Sequence, residues 1–146
     1  MAKLYVDSNV FFYAKIMDRV FGKSCSQILR GIASDSLQAS TSVLVPIEVA
    51  NALRKYGLAK DVAEEVRAIF SLGLEVYSLD PTDAREAAEI YAETGISPYD
   101  CVHAAVMKKN GLNGIISADK EFEKIPWIKR LDPRLMSERG SGSETQ

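Results

Sequence analysis

The chain has 146 residues, enough for one domain of roughly 150. Of these, 47% are apolar and 26% charged, which excludes wholesale disorder, a collagen and a coiled-coil rod. The 18 basic and 20 acidic side chains leave a formal charge of −2, so a general basic coat for nucleic acid is excluded and any polyanion has to be held by local patches or by metal ions.

Leu4-Tyr5-Val6 reads as a first strand, and helical stretches follow near 8–16 and 21–34. In the second, Cys25, Ile28, Leu29 and Ile32 recur at i, i+3, i+4 and i+7. Leu37 to Ser40 reads as a short second strand. Ser42 or Pro46 then opens a helix that Gly57 stops. A further helix covers roughly 59–71, its apolar stripe being Val62, Ala63, Val66, Ile69 and Phe70. Leu74 to Leu79 is a third strand. Asp80-Pro81 is a helix cap followed by proline in the first turn, and Gly95 ends that helix. Ser97-Pro98 repeats the start signal for a helix that is apolar almost all round from Cys101 to Met107 and is expected to be buried. Ile115-Ile116 is a fourth strand and Ile128 to Leu131 a fifth. Strands alternating with helices predict an α/β domain with a parallel sheet between helix layers.

The expected domain is 1–135. Residues 136–146, whose last seven carry no apolar side chain, are expected to form a mobile tail. An acid at position 7 and an apolar run of only five residues, Val10 to Ala14, argue against a signal peptide, and no stretch approaches the roughly 20 residues that cross a bilayer. Cys25 and Cys101 make no disulfide framework, and with the single His103 they fall at no zinc-site spacing. Two free thiols suit a reducing compartment, so the expected location is cytoplasmic, with no membrane contact.

Four acids fall in unusual places. Asp7 follows the first strand, Glu48 lies in the first turns of the helix after the second, Asp100 opens the buried helix, and Asp119 follows the fourth strand. In a parallel sheet with right-handed crossovers, strand C-termini and the following helix N-termini share one edge, which is where open α/β sheets place ligands. Four carboxylates there repel one another unless a hard divalent cation lies between them, and an all-oxygen site suits Mg²⁺ or Mn²⁺. Such a site performs phosphoryl hydrolysis. Each acid also has a plainer reading: Asp7 and Asp119 as helix caps, Glu48 as a surface acid favoured by the helix dipole, and Asp100 with Ser97 as a capping box.

Ser8 and Asn9 beside Asp7, Asn51 one turn after Glu48, and Ser117 two residues before Asp119 are candidates to hydrogen-bond the carboxylates or the waters of a metal. His103, one turn after Asp100, reads as a packed or site-flanking residue. A Ser–His–Asp hydrolase lacks its nucleophile elbow, and no glycine-rich phosphate loop is present. A phosphohydrolase with Asp7 as nucleophile lacks the second acid that such chemistry wants two residues on, where Asn9 stands. Phe11, Phe12 and Tyr13 read as core.

Taken in order, four segments resemble the PIN-domain nucleases, and VapC-type toxins most closely, over about residues 3–131. They are Asp7-Ser8-Asn9 after a strand, Pro46-Ile47-Glu48-Val49-Ala50-Asn51-Ala52-Leu53, Ser97-Pro98-Tyr99-Asp100-Cys101-Val102-His103-Ala104-Ala105, and Ser117-Ala118-Asp119-Lys120-Glu121-Phe122. The resemblance implies a three-layer α/β/α fold with a five-stranded parallel sheet of order 3-2-1-4-5. It implies that Asp7, Glu48, Asp100 and Asp119 are the catalytic, metal-binding acids and that Ser117 is the small hydroxyl residue before the last of them. Glu121 and Glu123 blur which further acid near Asp119 matters. It also implies Mg²⁺- or Mn²⁺-dependent cleavage of RNA, a VapB-like antitoxin as partner, and a homodimer.

The expectation is therefore a metal-dependent endoribonuclease, the toxin of a toxin–antitoxin pair. Alternatives are a housekeeping RNA-processing nuclease of the same family without an antitoxin, and a non-catalytic RNA-binding or assembly module. Lys108 to Arg134 holds seven bases and four acids, so this region, with Lys15, Arg54 and Lys55, is the candidate contact for backbone phosphates.

Overall fold

Leu4, Tyr5 and Val6 are β-prone at every position and form β1 (Leu4–Val6), the middle strand of the sheet. The computed structural model describes residues 3–136. After β1 come α1 (Ser8–Ile16), α2 (Gly22–Ala33), β2 (Ala39–Ser42) and α3 (Leu44–Lys55). A 3-10 turn (Ala59–Asp61), α4 (Val62–Phe70), β3 (Glu75–Tyr77), α5 (Pro81–Thr94) and α6 (Pro98–Lys109) follow. The order ends with β4 (Gly114–Ile116), a second 3-10 turn (Lys120–Lys124) and β5 (Lys129–Leu131). All strands are parallel, in the order β3-β2-β1-β4-β5. This is the three-layer α/β/α arrangement that the alternation of elements predicts.

Side-chain alternation divides the core between the two faces of the sheet. Tyr5 and Ile115 belong to one buried cluster with residues of α5 and α6, while Val6 and Ile116 belong to the other with residues of α1 to α4. Both clusters are dense in fully buried side chains, and α6 is buried from Ala104 through Met107 as its composition predicts. Gly22 is demanded by packing: a Cβ there would meet the backbone carbon of Met17 at 2.7 Å, so the end of α1 and the start of α2 meet without a side chain between them. Met136 packs against the second cluster. The expected mobile tail otherwise lies outside the described residues.

β2 lies two residues later than its sequence suggests. Leu37 is spent on closing α2, where the Ser36 and Leu37 N–H groups both donate to Gly31 O, at 2.9 and 3.1 Å. The strand itself is Ala-Ser-Thr-Ser, buried at every position, and no hydrophobic pattern marks it. Two of its three hydroxyls find partners across the sheet: Thr41 Oγ1 donates to Val6 O at 2.9 Å, and Ser42 Oγ accepts from Tyr5 Oη at 2.9 Å.

The strand order reverses direction between β1 and β4, the switch point of the sheet. There the ladder runs one residue beyond the strands. Asp7 N–H donates to Ile116 O and Ser117 N–H to Leu131 O, each at 3.1 Å. The first acid and the segment carrying the last are thereby held side by side.

Candidate active site

Asp7 is the N-cap of α1, and its Oδ1 accepts from Ser8 N at 2.8 Å. The other oxygen, Oδ2, accepts from Ser117 Oγ at 2.6 Å and from Asn9 Nδ2 at 3.1 Å. The carboxylate therefore caps a helix and faces the crevice at once, and it is only 4% exposed. Ser117 is a junction. Its Oγ donates to Asp7 and accepts from Asp119 N at 3.0 Å and Asn9 Nδ2 at 3.1 Å. Asn9 Oδ1 accepts from Ala118 N at 3.2 Å, and Arg130 Nη1 donates to Ser117 O at 2.9 Å. The loop after β4 is thus fastened to α1 and to β5.

Glu48 reaches the same crevice from the second turn of α3. Its Oε1 lies 2.6 Å from Nε2 of the fully buried His103, whose Nε2 is 3.9 Å from Asp7 Oδ1. Asp7, Glu48 and His103 present potential ligand atoms within 4.8 Å of one another. Asp100 and Asp119 flank this group: the charges that act on Asp100 come from Asp7, Asp119 and His103. Ser97 caps α6 by accepting from Tyr99 N at 3.2 Å, while Asp100, in the same first turn, lies within the acidic group.

The electrostatics follow from burial and from the closeness of the acids to one another. Desolvation raises the Asp7 carboxyl above the usual carboxylate range, against the opposing pull of His103 and Ser117. Burial, reinforced by Asp7 and by the Asp119 carboxyl, raises Asp100 to about 8, with His103 again opposing. Burial by itself would lower the His103 pKa; its bond to Glu48 and the charges of Asp7, Glu48 and Asp100 outweigh that and raise it. A group that holds on to protons in this way is one in which a divalent cation could take their place. The donors are mostly hard carboxylate oxygens, and they fit Mg²⁺ or Mn²⁺.

Of the residues proposed from sequence, Asp7, Glu48, Asp100 and Asp119 converge, and Asn9 and Ser117 hold Asp7 and the loop that carries Asp119. Ser8 contributes through its backbone N–H. Asn51 does not reach the acids: it is exposed, and its Oδ1 accepts from Arg54 Nη2 at 2.8 Å on the far turn of α3. Glu121 pairs with Lys124 at 2.7 Å and Glu123 with Arg130 at 2.8 Å, so both are engaged outside the cluster. Lys15 is drawn toward Glu65 at 3.6 Å. Cys25 and Cys101 are buried free thiols, and burial pushes Cys25 up to about 12, which leaves it an inert core residue. Sequence reasoning did not assign Tyr5, Ser42 or Arg130 to the site. The i, i+3 spacing of Asp100 and His103 was the one available signal for the histidine's part in it.

The family model described as PIN domain matches residues 4–128. The chain belongs to the PIN-domain family. Among solved structures, this PIN chain is similar to VapC20 of Mycobacterium tuberculosis, described as a toxin that cleaves the sarcin–ricin loop. The TM-score is 0.73 at 17% identity, over 86% of this chain and 97% of that one. It is similar to DNA-bound VapBC of Salmonella typhimurium, with a TM-score of 0.67 at 24% identity over 91% and 99% of the two chains. It is also similar to VapBC2 of Rickettsia felis bound to a promoter DNA fragment, with a TM-score of 0.67 at 16% identity over 89% and 98%. At these identities the likeness is one of fold. No curated protein matches the PIN chain significantly. Among the described residues, no helix is long and apolar enough to cross a membrane.

Proposed function

We propose that the chain is a Mg²⁺- or Mn²⁺-dependent endoribonuclease and the toxin of a toxin–antitoxin pair. The observation that carries the catalytic part is the convergence of Asp7, Glu48 and His103 within 4.8 Å, flanked by Asp100 and Asp119, at the switch point of a PIN sheet. Membership of the PIN family and the fold likeness to VapC and VapBC proteins support the toxin part.

On this reading Asp7, Glu48, Asp100 and Asp119 hold the metal. When bound, the ion supplies a nucleophilic water at neutral pH and neutralises charge on the scissile phosphate. Asp7 is fixed by Ser8, Asn9 and Ser117, so its free lone pairs point into the crevice without rearrangement. Asp100, beside Asp7 and Asp119, is placed to take the proton that the attacking water gives up. Lys120, adjacent to Asp119 and without an ionic partner among the described residues, is the phosphate contact we assign at this edge. The partner is a VapB-like protein that covers the acidic crevice with a cationic side chain. Cleavage of a loop-containing RNA by purified protein, measured with Mn²⁺ and again after EDTA, tests the proposal.

A further inference from the structure

His103 lies inside the group of potential ligands, yet its surroundings give it a different task. The ring is fully buried, and both nitrogens are engaged: Nε2 at 2.6 Å from Glu48 Oε1 and Nδ1 at 2.6 Å from Tyr5 Oη. In the tautomer that donates from Nε2 to the Glu48 carboxylate, Nε2 has no lone pair for a metal. Nδ1 points the other way, into the phenol.

Glu48 needs holding more than Asp7 and Asp119 do. Asp7 has three hydrogen-bond partners and Asp119 accepts from Glu121 N. Glu48 has a longer side chain, is 23% exposed, and among the described residues has His103 as its one hydrogen-bond partner. Behind the imidazole the chain of bonds continues through Tyr5 Oη to Ser42 Oγ, which accepts from Leu44 N at 3.3 Å. Leu44 begins α3, the helix that carries Glu48. The links therefore close a loop from the start of α3, through β2, β1 and α6, back to the second turn of α3. Tyr5 is fully buried, and burial keeps its phenol protonated.

We infer that His103, backed by Tyr5 and Ser42, is a positioning residue that aims the Glu48 carboxylate into the metal site through the Nε2 hydrogen bond and does not itself bind the metal. This inference rests on the metal-nuclease reading.

The test is Mn²⁺ affinity, measured by calorimetry on the purified chain and its variants, with pulsed electron paramagnetic resonance of bound Mn²⁺ to detect a coordinated nitrogen. Glu48→Gln is expected to weaken binding at least about 10-fold, and His103→Leu by roughly 10–100-fold. His103→Gln, whose amide offers an N–H near the Nε2 position, is expected to recover most of that loss. The parent spectrum should lack a directly bound imidazole nitrogen. A coordinated imidazole nitrogen, or unchanged affinity in His103→Leu, overturns the inference. Unchanged affinity in Glu48→Gln overturns the metal-site reading on which it stands. If His103→Leu does not fold, Tyr5→Phe takes its place: a several-fold weaker affinity supports the inference, and an unchanged one overturns it.

Discussion

The Nε2 atom of His103 lies 2.6 Å from Oε1 of Glu48, joining α6 to α3 across the end of the sheet. With Asp7 Oδ1 3.9 Å from the same nitrogen, this contact makes the crevice one electrostatic unit, so a change at any member should be felt as a change in stability, metal affinity and rate together.

Metal binding should stabilise the fold. An ion that binds only the folded site at 100 times its Kd contributes about 2.7 kcal/mol, which for a domain of this size is a melting shift of about 9 °C. Asp100→Asn should raise the melting temperature of the EDTA-treated protein, by relieving repulsion with Asp7 and Asp119, and should shrink the Mn²⁺ increment. If Asp100 served only as a helix-terminal charge, the metal-free variant would instead melt lower. Melting curves of parent and variant, each with EDTA and with Mn²⁺, separate the two.

The metal-free protein should lose stability as pH rises. Asp100 is raised to about 8 by burial and by its acidic neighbours, so the folded state binds this proton more tightly than the unfolded chain does. That contribution is full below about pH 4 and is lost as the pH climbs toward 8. His103, also raised, acts in the same direction above its ordinary 6.5. Thermal melts in EDTA should therefore fall by at least about 3 °C, or ~1 kcal/mol, between pH 5.5 and pH 8.5. Asp100→Asn should flatten the slope, and a parent whose melting point rises over this interval contradicts the assignment.

Much of this arrangement is legible in the sequence, for physical reasons. The caps Asp80-Pro81 and Ser97-Pro98 mark α5 and α6 because an orphan N–H needs a side-chain oxygen and proline lacks one to orphan. The four acids announce themselves because strand ends, which Asp7 and Asp119 follow, and helix starts, where Glu48 and Asp100 stand, share one edge of a parallel sheet. β2 is not legible in the same way, since Ala-Ser-Thr-Ser hides a buried strand behind hydroxyls, and the partners of Thr41 and Ser42, Val6 and Tyr5, come from another strand. Asn51 misleads for the opposite reason: one turn from Glu48 in sequence, its amide is engaged by Arg54 on the exposed face of the helix. The pairing of His103 with Glu48 and Tyr5 depends on three elements meeting, and no local pattern encodes it.

Ser117→Ala tests the organisation of the crevice. The hydroxyl donates to Asp7 and accepts from Asp119 N and Asn9 Nδ2, so its removal leaves one acceptor and two donors each short of a partner. The expected cost is about 1–3 kcal/mol, together with a 10–100-fold loss of Mn²⁺ affinity. Chemical denaturation and calorimetry read the two effects, and an unaffected Mn²⁺ affinity would remove Ser117 from the support of the site.

The toxin proposal has its own test in cells. Induced expression of the chain alone should slow growth, and co-expression of the adjacent gene should restore it. Asp7→Asn, which keeps a good helix cap, should be harmless. Unimpaired growth with a folded, RNA-cleaving product removes the toxin part and leaves the nuclease part standing.

The most direct measurement of the central claim is the single-turnover rate at which purified protein cuts a loop-containing RNA in Mn²⁺, compared between the parent and Asp7→Asn at matched folding. Loss of a metal-holding carboxylate worth about 2.7 kcal/mol in the transition state corresponds to a roughly 100-fold slower reaction, and EDTA should abolish cleavage by the parent. Cleavage at equal rates by parent and variant, or cleavage by the parent that persists in EDTA, contradicts the account.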